Sequence, residues 1–153
     1  MLSQTELHRR FLDVLEGTVL WSTNLALKPL DLNLRPPLPG KVRLYLYNIT
    51  HPQGGRPSSE YKIRLMVRGQ RRHDRAGFAS ESGRFLVLGG YEGELDVFVL
   101  WDAGLYSDFA WSRNVQVKAE TIIQASAGKL AFQERRLRPR SGRPPPGRLV
   151  AHP

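Results

Sequence analysis

The sequence predicts an α+β domain: a mostly antiparallel central sheet, an N-terminal helix, a C-terminal helix after the strands, and a basic tail. Three observations carry this prediction. A capped amphipathic helix opens the chain, two runs (41–49 and 61–67) alternate with a period of two, and two apolar runs (84–88 and 95–101) read as strands buried on both faces.

Ser3 and Glu6 stand at capping-box spacing, with Leu2 and Leu7 placed to staple the turn. Leu7, Phe11, Val14 and Leu15 then share one helical face, and Gly17 supplies a C-terminal stop. Residues 18–34 are apolar but irregular, predicting a short strand and an extended segment up to Pro36-Pro37. Lys41 to Ile49 places Val42, Leu44, Leu46 and Asn48 on one face and Arg43, Tyr45, Tyr47 and Ile49 on the other. Tyr61 to Val67 turns Ile63, Leu65 and Val67 inward and Lys62, Arg64 and Met66 outward. These two runs flank a Gly-Gly-Arg loop, which predicts that they pair antiparallel. Residues 68–77 read as a polar loop, and Gly89-Gly90 and Gly93 as punctuation between the two apolar strands. Residues 114–127 fit a helix better than a strand, ending at Gly128.

The chain has 153 residues, no cysteine and a formal charge of +9. This bounds it to one domain with a tail and excludes disulfides, thiolate nucleophiles and Cys-based zinc sites. No run has the roughly 18 apolar residues of a membrane span, so a cytoplasmic protein without membrane contact is expected. Of the 23 basic residues, six arginines fall in 135–153; the 17 that remain face 14 acids, which leaves residues 1–134 close to neutral. The Arg/Pro/Gly composition of 135–153 predicts a disordered arm that binds phosphate backbones without reading sequence. A solubilising tail is the equal alternative.

The segment His51-Pro-Gln-Gly54-Gly55-Arg56-Pro-Ser-Ser-Glu60-Tyr-Lys62-Ile-Arg64 is the richest in chemistry. Gly54 and Gly55 let backbone amides approach an anion, and Arg56 can fork onto a phosphate or a guanine edge. Arg56, Lys62, Arg64, Arg68, Arg71, Arg72 and Arg75 crowd into 20 residues, with His51, His73, Tyr45, Tyr47 and Tyr61 beside them. If alternation holds, Lys62 and Arg64 share a solvent face with Tyr45 and Tyr47, giving phosphate contacts next to rings that stack on bases. The competing reading is a basic sheet edge that only blocks aggregation.

A second constellation is Glu60-x-Lys62 with Asp96, in which Glu60 and Asp96 would hold Mg²⁺ and Lys62 would orient the attacking water. The order is unusual, since the later buried strand offers Glu94-Leu-Asp96 without a lysine; Asp96 and Asp102 can equally cap that strand and pair with arginine. A third is the aromatic loop of Trp101, Tyr106, Phe109 and Trp111, edged by Ser112, Arg113, Asn114 and Gln116. It suits either a cage for an extruded base or ordinary core packing. Phosphate-loop, nucleophile-elbow and paired-histidine signatures do not occur.

The succession Tyr47-Asn-Ile-Thr-His-Pro, Gly-Gly-Arg, Glu60-Tyr-Lys-Ile, Leu86-Val-Leu-Gly-Gly-Tyr, Asp96-Val-Phe-Val-Leu-Trp-Asp and Ser112-Arg-Asn-Val-Gln-Val resembles DNA-recognition or nuclease-like modules of bacterial restriction–modification systems over residues 41–127. That resemblance implies double-stranded DNA as ligand and a methylase or nuclease as partner. By the same resemblance Arg56, Lys62 and Arg64 contact the backbone, and Asn114 and Gln116 read bases. The leading expectation is therefore a DNA-binding module of a restriction or defence system that needs no cofactor. A Mg²⁺-dependent endonuclease is the first alternative, and an assembly domain with a basic tail the second.

Overall fold

The computed structural model describes residues 1–51, 60–78, 83–136 and 146–152. Helix α1 (Gln4–Val14) starts where the sequence sets it: the Ser3 hydroxyl accepts from the Glu6 amide, while the Glu6 carboxylate accepts from the Ser3 amide at 2.8 Å. Gly17, at φ 79°, turns the chain into β1 (Val19–Ser22), which pairs antiparallel with β2 (Leu30–Leu34).

β2 pairs antiparallel with β3 (Lys41–Asn48), and β3 pairs in parallel with β6 (Phe85–Glu92). β6 turns back into β7 (Val97–Trp101), whose far edge receives β11 (Pro146–His152), which in turn holds β10 (Ala131–Arg136). The result is a seven-stranded sheet in the order β1-β2-β3-β6-β7-β11-β10, antiparallel at every pairing except β3–β6.

With β2 and β6 on its two edges, β3 has no edge left for the next strand. The pairing expected between 41–49 and 61–67 therefore does not extend. A bridge between Thr50 and Lys62 (N–H to O, 2.8 and 3.0 Å) closes the base of that loop. β4 (Glu60–Leu65) then pairs antiparallel with β9 (Arg113–Lys118) in a separate two-stranded ribbon. Residues 113–118 are thus a strand, and the helix expected over 114–127 is shortened to α2 (Ala119–Ser126), ended by Gly128 at φ 83°. Two short strands, β5 (Arg75–Ala76) and β8 (Phe109–Ala110), also pair, next to a 3-10 turn at Ala103–Tyr106.

The sheet is the middle of three layers. On one side α1 inserts Leu7 among Leu30, Leu32, Val42, Leu44, Leu46, Tyr91 and Phe98. On the other, the ribbon contributes Tyr61, Ile63, Leu65, Val115 and Val117, and α2 contributes Ile122 and Ala125, against Tyr45, Tyr47, Leu88, Val99 and Trp101. Both faces of β3 are therefore core. Tyr45 and Tyr47, expected beside Lys62 and Arg64 in solvent, are only 4% and 6% exposed.

Gly89 and Gly90 do not punctuate; they sit inside β6. A Cβ at Gly90 would lie 2.7 Å from Ile49, 2.9 Å from Ile63 and 3.0 Å from Trp101, so the missing side chain is what lets the ribbon settle on the sheet.

Strands stand at both ends of the stretch 135–153 expected to be a disordered arm: β10 continues to Arg136, and Leu149 and Ala151 of β11 are buried in the core between β7 and β10. The apolar run Leu149-Val-Ala follows a stretch whose Arg and Pro content dominates the composition of 135–153. No helix among the described residues is long and apolar enough to cross a membrane.

Candidate nucleic-acid interface

In an antiparallel ribbon, residues directly opposite each other share a face. The register of β4 on β9 pairs Glu60 with Lys118, Lys62 with Gln116, and Arg64 with Asn114. The alternate residues Tyr61, Ile63, Leu65, Val115 and Val117 are all buried. One row is thus anchored in the core, and the other is forced outward. Arg64 and Asn114 are exposed, while Lys62 and Gln116 are half-buried. Residues singled out on separate grounds, two cations for phosphates and two amides for bases, meet on one outer face about 5 Å apart across the strands.

His51 precedes the loop closed by the Thr50–Lys62 bridge, exposed, with its ring edge-on to Tyr61 at 4.5 Å. Burial, then the charges of Glu92 and Glu94, raise the Tyr61 phenol, which stays protonated. Gly54, Gly55 and Arg56 lie outside the described residues. Arg71 and Arg72 are exposed on the turn that follows β4, where Asp74 accepts from the Arg71 amide at 2.9 Å. Arg75, by contrast, is committed to Asp108 at 2.6 Å.

Beside the ribbon's outer face lies a cleft of about 530 Å³ lined by Lys28, Tyr47, Asn48, Thr50, His51, Lys62, Arg64 and Met66, with Gln4 and Leu7 of α1. Lys28 comes from the β1–β2 connection and sets its ammonium 3.4 Å from the Tyr47 ring centroid. Burial pushes the Lys28 ammonium down to about 8. The Tyr47 hydroxyl donates to the Met66 carbonyl at 2.9 Å, tying the floor of this cleft to the end of β4. A lone lysine before a proline carried no signal in the sequence, so Lys28 was not foreseen.

Glu60 heads the ribbon face opposite Lys118. Asp96 is held on the α1 side of the sheet: it accepts from the Tyr91 hydroxyl at 2.6 Å and lies 3.7 Å from Arg10. Burial and then this bond push the Tyr91 phenol up to about 12. Asp102 accepts from the Gly104 amide and caps the 3-10 turn. Among the described residues no group of three or more His, Asp or Glu is arranged to hold a metal ion.

The aromatic loop is core rather than cage. Trp101, Tyr106 and Phe109 are 5%, 1% and 0% exposed, and only Trp111 reaches solvent. Arg43 and Arg84 are likewise structural, since both grip Asp31, at 2.8 and 3.5 Å.

The domain is thus a three-layer α+β fold that carries an outward ribbon of cations and amides. Residues 40–142 match the methylase-associated X1 family, and the chain belongs to that family. The methylase association agrees with the restriction–modification setting implied by the sequence resemblance. Neither a curated protein nor a solved structure matches the chain.

Proposed function

We propose that this protein is a duplex-DNA-binding module that works with a methylase of a restriction–modification system, and that the outer face of the β4–β9 ribbon is its DNA-contacting surface. The observation that carries the reading is the register that sets Lys62 and Arg64 against Gln116 and Asn114. A two-stranded ribbon fits the B-DNA major groove, about 12 Å wide. Successive outward residues on a strand are about 6.8 Å apart, close to the through-space separation of neighbouring phosphates on one DNA strand. Lys62 and Arg64 can therefore meet adjacent backbone phosphates. The amides of Asn114 and Gln116 offer the donor–acceptor pair that suits adenine. His51, Arg71 and Arg72 extend the surface at the two ends of β4.

Mg²⁺-dependent cleavage by Glu60, Lys62 and Asp96 has no specific observation in its favour, because Asp96 is taken up by Tyr91 and Arg10 away from the ribbon face.

Fluorescence anisotropy with a labelled duplex library tests the proposal. Arg64→Ala weakens binding to every sequence by about five- to ten-fold, as loss of a phosphate contact does. Asn114→Ala and Gln116→Ala instead narrow the gap between preferred and other sequences. Wild-type affinity for all three variants sinks the reading.

A further inference from the structure

The cleft beside the ribbon has a wall from outside the family-matched residues. None of the eleven residues that line it is acidic, whereas Lys28, Lys62 and Arg64 all face it. No carboxylate lies within ion-pair distance of these three among the described residues. The neighbouring cleft, on the far side of the Asn48–His51 segment, holds Glu92 and Glu94 instead. Charge is thus segregated across one stretch of backbone, and only one of the two clefts can receive an anion.

We propose that this cleft is a phosphate-binding site, in which Lys28 and Lys62 take the oxygens of one phosphate group and Arg64, beside them, is left for a neighbouring phosphate. Two ammonium groups with a guanidinium beside them match the negative charge and free oxygens of a phosphate group, whether a monoester or a backbone diester, better than a carboxylate. Lys28 is half-buried against Tyr47; His8 lies near it, Met1, His51, Lys62 and Arg64 line the same cleft, and no carboxylate does, so an arriving anion relieves an unfavourable desolvated charge. The residue is supplied by the β1–β2 connection, before the family match begins at residue 40. The N-terminal elements therefore add a binding wall to the family's domain as well as covering its sheet. The ribbon reading bears only on where the phosphate comes from: the DNA backbone, or a free phosphate compound.

The test has two arms. In the first, the ¹⁵N-labelled full chain is titrated with inorganic phosphate at neutral pH. Saturable shifts of the Thr50 and Lys62 amides are expected, with a dissociation constant on the order of millimolar, as suits one small anion. Lys28→Met weakens this by about five-fold or more, and Lys28→Arg restores it, as expected when the charge rather than the packing is lost. The absence of saturable shifts, or shifts that Lys28→Met leaves unchanged, overturns the site. In the second arm the same variants meet a labelled duplex. Weakening by Lys28→Met places a backbone phosphate in the cleft, while unchanged duplex affinity assigns the cleft to a free phosphate compound. A wild-type chain that binds phosphate but no duplex refutes the ribbon reading and leaves the cleft standing.

Discussion

Single residues in this chain do their work through what they exclude or hold. Gly90 excludes: an alanine there meets Ile49, Ile63 and Trp101 at 2.7–3.0 Å, so either β6 or the ribbon must shift. Gly90→Ala is expected to destabilise by about 1–3 kcal/mol, the usual range for overpacking. It should also weaken duplex binding by displacing the ribbon, and denaturant unfolding beside anisotropy reads both effects. His8 holds. It is fully buried, with Nδ1 donating to the Leu25 carbonyl at 2.7 Å and Nε2 accepting from the Gln4 amide at 2.8 Å. That pattern fixes a neutral ring, and burial keeps its protonation below the ordinary 6.5. The unfolded chain therefore takes up the proton first. Stability is full above 6.5 and falls as the pH drops through and below it, a decline that thermal unfolding should record and that His8→Gln should flatten. A wild-type melting temperature that is constant from neutral pH to about pH 5 contradicts this assignment.

At the scale of elements, local rules were legible and competition for edges was not. The capping box of α1 and the inward–outward alternation of 61–67 were both readable, because each depends on residues within one turn or one strand. The partner of β4 was not readable. That choice turned on β2 and β6 occupying both edges of β3, a fact spread over 60 residues of sequence. The same blindness put Tyr45 and Tyr47 in solvent, since alternation shows two faces but not that both are covered. Asn114 and Gln116 were singled out within a segment expected to be helical; a strand there is what sets them opposite Arg64 and Lys62. β11 is the sharpest case: a buried central strand stood within a stretch whose composition argued for disorder. Leu149→Ala is expected to cost about 2–4 kcal/mol, the cost of emptying a core site rather than the near-zero cost of a tail substitution. Deletion of 135–153 accordingly unfolds the sheet beyond β7 and is no clean test of the arginines in that stretch.

For the whole molecule, the layering sets a buried core behind the proposed contact surface. The sheet is buried on both faces, α1 closes one side, and the ribbon on the other carries its apolar row inward and its cations and amides outward. Because the net charge of residues 1–134 is small, the proposed affinity of the ribbon rests on where its charges are placed rather than on how many there are. That is the central claim, and the salt dependence of duplex binding tests it most directly. The slope of log K against log salt counts the phosphates neutralised, about 0.9 for each. Measured for the full chain and for the Lys62→Ala/Arg64→Ala double variant, the slope is expected to fall by about 1.8, with Arg135 to Arg148 untouched. An identical slope in both proteins would place binding elsewhere and contradict the assignment of the ribbon as the DNA-contacting face.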